Sequence, residues 1–352
     1  MDVHSLTRKH RISWWRILPL RVVISPNKCL HTSRGKIARL SSRVVLPLFI
    51  SLSLINPLQA NESNVLILKS GSAPVYNRII NTAKQRIDRI CKPQGNKCTR
   101  PSFSVESINN RKLRTILKET KWDLIVTIGT KAAIKLNSYK IKAPTLYSLI
   151  PSHSYPTIRR NSISRVRSAI YIDQPLKRQI QLIKSSLPKT QKVGVLLGKH
   201  SGISKKRIQQ IIRNMGLEPV VLKTSANNIK SSLDSIYSKI DVLLAQPDPS
   251  VYNKKTVMTV LLSSYRHNVP VFGYSAAFVR SGATAAIYSS PTNIGLQVGD
   301  EIVKFINSNN RALSPPGFPN YYSVDTNRRV IRSLNIKLPT TKQIKARMME
   351  AR

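Results

Sequence analysis

Residues Trp122–Ala133 read WDLIVTIGTKAA, and Ile240–Asn253 read IDVLLAQPDPSVYN. In each, a short aliphatic run stops at a turn-forming residue, and after the first a segment of helical spacing begins at once. Continuous apolar runs of this length, bounded by turn signals and alternating with helices, mark strands buried on both faces of a parallel sheet. Outward from Trp122 the same alternation recurs. Upstream lie VLIL at Val65–Leu68, a turn at Gly71, and a helix with Tyr76, Ile79, Ile80, Ala83, Ile87 and Ile90 on one face, then FSVES and the helix RKLRTILKET; downstream comes PTLYSLI. Such βαβ units build one doubly wound lobe.

Outward from Ile240 the series repeats. KVGVLLG at Lys192–Gly198 precedes an amphipathic helix closed by Gly216, then PVVLK, the helix SSLDSIYSKI, the strand DVLLAQ, a helix through Val257–Tyr265, and PVFGYS. Between the two series, Pro151–Arg167 mixes prolines, serines and arginines without periodicity and reads as the crossing from one lobe to the other. Pro175 suits a first helical turn, where its missing N–H costs nothing, and Leu176, Ile180, Ile183 and Leu187 continue as an apolar stripe. TAAIYSS is a last strand, Pro291 opens a helix with Ile294, Val298, Ile302 and Phe305, and SPPGFPN is a rigid loop. The expected fold is α/β: two doubly wound, Rossmann-like lobes with parallel sheets, hinged around a central cleft. Residues 61–170 plus about 288–318 form the first lobe, and 172–286 plus about 319–345 the second.

The 352 residues, 41% of them hydrophobic, are enough for two cores. Charge is lopsided, with 58 Lys and Arg against 15 Asp and Glu. The excess is spread through many segments, and only 6% of residues are aromatic, with no basic stretch regularly interleaved with them. A strand-stacking surface for nucleic acid needs that interleaving, so no nucleic-acid partner is expected.

Residues 1–60 have a leader's layout. Arg34, Lys36, Arg39 and Arg43 precede VVLPLFISLSLINPL at Val44–Leu58, an uncharged run broken by Pro47 and shorter than a spanning helix. A signal peptide with a long basic n-region, cleaved after Ala60, is expected, with a non-cleaved anchor or a start that adds residues 1 to about 33 as the alternatives, and no cysteine follows it for lipid attachment. The destination is then the periplasm. Beyond the leader only Cys91 and Cys98 remain, around KPQGNK, whose Pro93 and Gly95 favour a reversal. An oxidising compartment favours a disulfide, with two loop thiols as the alternative.

Catalytic signatures are missing. The first strand is followed by KSGSAPVYN, neither GxGxxG nor a P-loop; His153, His200 and His267 are isolated; no GxSxG occurs. No enzyme, cofactor or metal is expected. What recurs is a strand ending in a small or hydroxylated residue before a helix, as in TIGTKAA, LLGKHSGISKK and FGYSAAF. Free N–H groups at a helix start attract a carboxylate, with Thr130 or Ser275 assisting, or those residues merely cap their helices. In open α/β sheets ligands lie beyond the carboxyl ends of the strands. This makes Ser70, Gly71, Gly129, Thr130, Ser148, Gly198 and Ser275 candidate ligand contacts. Asp248, between two prolines, either meets a ligand ammonium or caps the next helix. Tyr147, Tyr274 and Tyr288 lie at strand ends, where rings wall a cleft or pack inside.

The order of WDLIVTIGTKAA, LPKTQKVGVLLG, NMGLEPV, IDVLLAQPDPSVYN, VPVFGYS, SGATAAIYSSPTNIGLQVGDEI and SLNIKLP resembles the substrate-binding component of a bacterial ABC transporter family with the type I periplasmic binding fold. The resemblance covers about residues 65–340. It implies lobes that close on a small-molecule ligand and present it to an ABC permease in the inner membrane; the helix starts and Asp248 make an amino-acid-like or anionic ligand and a monomer the expectation. It places the family's cleft loops on Gly129, Thr130, Ser148, Gly198, Asp248, Tyr274, Ser275 and Tyr288. The sequence departs at Ile150-Pro151-Ser152, where the family carries an aspartate-proline pair. A sensor without a permease, or a basic protein that binds polyanions, would be the other classes; steep salt dependence would mark the last.

Overall fold

The computed structural model describes residues 63–91 and 98–350. The expected leader and its expected cleavage site lie outside the described residues. Leu58–Arg352 forms one compact unit. In order it contains β1 (Asn64–Lys69), α1 (Pro74–Ile90), β2 (Ser102–Ser107), α2 (Leu113–Glu119), β3 (Leu124–Ile128), α3 (Thr130–Ser138), β4 (Thr145–Ile150), α4 (Tyr155–Arg160) and β5 (Arg167–Tyr171). There follow α5 (Leu176–Ser186), β6 (Lys192–Leu197), α6 (Lys205–Asn214), β7 (Glu218–Lys223), α7 (Ile229–Asp234), β8 (Val242–Leu244), α8 (Val257–Arg266), β9 (Val271–Gly273), α9 (Ala276–Arg280) and β10 (Ala285–Tyr288). The chain ends through α10 (Pro291–Asn307), β11 (Ser323–Thr326), α11 (Arg328–Ser333) and α12 (Thr341–Glu350).

Two sheets result. The first runs β2-β1-β3-β4-β5, all parallel. The second runs β7-β6-β8-β9-β10 in the same winding and adds β11 antiparallel at its edge. In both, the strand order reverses beside the first strand of the series, the point at which doubly wound sheets open a crevice.

Each sheet is covered on both faces, which explains its unbroken apolar runs. α1 and α10 cover one face of the first sheet, with Ile79, Ile87, Ile294, Val298 and Phe305 against Val65, Ile67 and Val126. α2 and α3 cover the other through Leu113, Leu117, Ala132 and Leu136. The second sheet lies between α5, α6 and α12 on one side and α7, α8 and α9 on the other. The C-terminal helix therefore returns to the second sheet, with Ile344 and Met348 buried there.

One expectation is corrected. Pro151–Arg167 is not the crossing: Tyr155 and Ile158 of α4 pack on Ala133 and Tyr147 of the first sheet, and the chain re-enters that sheet as β5. With one turn and a half of helix, α4 is too short to show a period. The first crossing is Ile172–Pro175, and Pro175 stands just ahead of α5 as its cap residue. Cys91 and Cys98 are joined in a disulfide, Cα to Cα 5.1 Å. Among the described residues, no helix is long and apolar enough to cross a membrane.

Candidate functional site

A cavity of about 700 Å³ lies between the two sheets' carboxyl ends. The first lobe and its crossings supply Pro151, Ser152 and His153 after β4, Ile172, Asp173 and Gln174 after β5, and Phe318. The second supplies His200–Ile203 after β6, Gln246–Pro249 and Tyr252 after β8, Tyr274 after β9, and Leu176 and Gln179 of α5.

Local backbone chemistry places these groups. Leu149 has φ of 56°, a left-handed conformation that a branched side chain rarely adopts, and the β4–β5 register shifts between Ser148 and Ile150. This bulge turns the chain so that Pro151–His153 leaves the sheet. Asp173 then fixes the loop: its carboxylate accepts from the Ser152 backbone N–H at 2.8 Å and from the Ser152 hydroxyl. A carboxylate from the crossing segment thus holds this loop.

Three buried glutamines line the opposite wall in one chain. Gln246 Nε2 donates to Gln179 Oε1 at 2.6 Å, and Gln179 Nε2 donates to the Gln174 carbonyl at 2.9 Å. The Gln174 side chain leads away from the cavity, donating to Ser289 Oγ at 2.7 Å and accepting from Arg178, which also donates to the Pro319 carbonyl and stacks over Tyr322. Gln174, Ser289 and Pro319 lie on the three segments that join the sheets. The cavity wall and all three connections therefore share one hydrogen-bond network.

The candidate residues fall into two groups. Asp248, Gly198 and Tyr274 are at the cavity or its margin. Asp248 is 1% exposed and satisfied internally: Oδ2 accepts from Gly198 N at 2.9 Å, and Oδ1 accepts from Ser250 N at 2.9 Å and from the Ser250 hydroxyl. It ties the β6 and β8 loops together and caps its own turn. Tyr274 packs against Tyr252 and Phe278, and burial, with Asp248 nearby, pushes its phenol pKa up.

The others lie elsewhere. Ser70 Oγ donates to the Ile128 carbonyl and accepts from Ala132 N, both at 2.9 Å, so it takes up one of the α3-start N–H groups expected for an anion. Gly129, at φ 96°, lets Ser70 approach: a Cβ there would stand 2.5 Å from Ser70 Oγ. Thr130 faces a separate groove with Ile134 and Asn137, and Gly71 abuts Tyr76. Ser148 is wholly buried and donates to the Thr127 carbonyl at 2.7 Å. Ser275 caps α9 through Phe278 N. Tyr288 donates to Asp325 at 2.6 Å; burial first, then this carboxylate, pushes its pKa up to about 12. None of these seven residues, nor Gly198 itself, is on the cavity wall.

Besides Asp248 and Tyr274, the cavity wall carries groups that the sequence did not single out. His153 and His200 each stand three residues beyond a strand end, the one signal that singles them out from His267. Tyr252 is 4% exposed, and its hydroxyl, like that of Ser201, is buried without a protein partner. Among the described residues no lysine or arginine lines the cavity, in a chain with 58 of them.

Two doubly wound lobes meeting over a cavity form a fold shared with a solved substrate-binding protein. More particularly, the chain belongs to the ABC transporter substrate binding protein family, whose model matches residues 104–341. Among solved structures it is similar to the ligand-free, open structure of a substrate-binding protein with adhesive properties from Clostridium difficile (17% identity, 80% of this chain and 97% of that one, TM-score 0.63). It is also similar to a conserved domain protein from Vibrio cholerae (17%, 81% and 98%, TM-score 0.52). A third is an ABC domain in complex with L-Trp from Streptococcus pneumoniae (20%, 80% and 97%, TM-score 0.49). A search of curated proteins gives no significant match.

Proposed function

We propose that this chain is the periplasmic solute-binding component of an ABC uptake system, exported by a cleaved leader, that traps a small amino-acid-like or uncharged metabolite by closing its two lobes. The observation that carries the reading is the cavity itself. It is walled from both lobes at the carboxyl ends of the strands, and three connections tie its wall to the hinge. Binding energy that favours the closed form is all the function requires, and no bond is made or broken.

The lining favours the amino-acid-like member of the expected pair over the anionic one. An anion's charge would meet Asp173 and Asp248 and, among the described residues, no cationic Lys or Arg. The glutamine amides, the Ser201 and Tyr252 hydroxyls and the Tyr274 and Phe318 rings suit a ligand with polar edges and an apolar body. The closed monomer would then be presented to an inner-membrane permease. Calorimetry of the Leu58–Arg352 unit against amino acids, nucleosides, sugars and organic acids tests this. Saturable binding of an uncharged or zwitterionic compound is expected, and tight binding confined to di- and tricarboxylates would overturn the ligand class.

A further inference from the structure

We propose that the pole of the first lobe opposite the cavity is a docking surface for an anionic lipid membrane. Because β3, β4 and β5 are parallel and send their carboxyl ends to the cavity side, the segments that enter them gather at the other end. Ile125 N donates to the Pro144 carbonyl and Thr145 N to the Val166 carbonyl, both at 2.9 Å, so the three entry segments lie side by side. On them and the adjoining helix ends stand Lys121, Lys140, Lys142, Arg159, Arg160 and Arg165, all exposed. The first three border a groove with Lys118. Opposing charge is sparse. No acidic residue occurs from Leu124 to Ile172; Glu119 is exposed at the margin, and Asp123 is already paired with Arg311 at 3.1 Å.

The same face carries apolar tips. Ile163 is 40% and Val166 38% exposed, flanked in sequence by Arg160 and Arg165. The loop is held in place: Ser164 is fully buried, its hydroxyl donates to the Val166 carbonyl at 2.9 Å, and Arg167 donates to the Ser164 carbonyl. Each cation brought to a negative leaflet is worth roughly fivefold in partitioning, and aliphatic side chains amid the cations add insertion below the headgroups. A nucleic-acid face would instead need exposed rings for stacking, and Trp122 is buried. Docked this way, the chain keeps its cavity turned from the bilayer and open to solute.

The test is sedimentation of the Leu58–Arg352 unit with vesicles of phosphatidylglycerol and phosphatidylethanolamine, against vesicles of phosphatidylcholine alone. Binding to the anionic vesicles only, weakened by salt, is expected. Arg159→Gln with Arg160→Gln and Arg165→Gln should lower partitioning about 100-fold, and Ile163→Ser with Val166→Ser about tenfold. Lys205→Gln with Lys206→Gln and Arg207→Gln, a charge-matched change on the other lobe, should leave it within twofold. Should any loop variant melt early, Lys140→Gln with Lys142→Gln probes the same face. Equal losses in both triple variants would reduce the effect to net charge and overturn the proposal. So would failure to bind anionic vesicles, or unchanged binding on loss of the two aliphatic tips together with equal affinity for single-stranded DNA.

Discussion

His153 of the first lobe sits against Gly202 of the second: a Cβ placed on Gly202 would come within 2.7 Å of the imidazole Nδ1 and 3.0 Å of its Cγ. Real Cβ atoms do not approach that closely, so the absence of a side chain at Gly202 sets how near the β4 and β6 loops come. Both residues line the cavity.

Gly202→Val should therefore hold the lobes apart. Gly202 is exposed and outside the positive-φ region, so the apo melting temperature should stay within about 2 °C, as for other surface changes. Ligand affinity should fall by at least about tenfold, or ~1.4 kcal/mol. Adding His153→Ala should recover most of it. Calorimetry on the single and double variants measures this, and a double variant no better than Gly202→Val would show that the contact does not govern closure.

Tyr252 carries a buried hydroxyl without a protein partner, an arrangement that costs about 1–3 kcal/mol if nothing completes it. Tyr252→Phe should leave the apo protein as stable or more so, while ligand-induced thermal stabilisation shrinks. A lower apo melting temperature with undiminished ligand response would make the hydroxyl a scaffold group.

Asp248 behaves in the opposite way. Its three acceptor bonds to Gly198 and Ser250 join two cavity loops, and Asp248→Ala would leave buried N–H groups unpaired. A loss of about 2–4 kcal/mol in apo stability is expected by chemical denaturation. Unchanged apo stability with abolished binding would restore it to the role of a direct ligand contact.

Tyr288 gives a test in alkali. Its pKa lies above the ordinary value of 10, at about 12, with burial and Asp325 holding the proton. The folded state keeps that proton where the unfolded chain has lost it, so the contribution is whole below pH 10 and disappears between about 10 and 12. Tyr288→Phe should flatten that part of the stability profile; an unaltered slope over the same window would contradict the assignment.

The fold was legible because strands buried on both faces are apolar along nearly their whole length, as Val65–Leu68 is and as Leu124–Ile128 is apart from Thr127. α4 escaped because six residues, with only Tyr155 and Ile158 buried, give no period. The candidate site was legible only as a location. Strand-end residues such as Ser70, Thr130 and Ser275 were singled out for helix-start N–H groups, but Ser70 and Ser275 take up such groups themselves. Asp248 and Tyr274, in the loops after β8 and β9, line the cavity, with the Asp248 carboxylate bonded to Gly198 and Ser250 and the Tyr274 ring packed on Tyr252 and Phe278. His153 and Gln179 meet neighbours distant in sequence, Gly202 for the first and Gln246 for the second, and such pairings have no local pattern to betray them.

Small-angle X-ray scattering of the Leu58–Arg352 unit, with and without whichever compound most raises its melting temperature, bears most directly on the trapping of a solute between two lobes. The radius of gyration should contract on saturation in the wild-type chain and fail to contract in Gly202→Val. Binding at full affinity with the same scattering curve before and after, in both proteins, would contradict it.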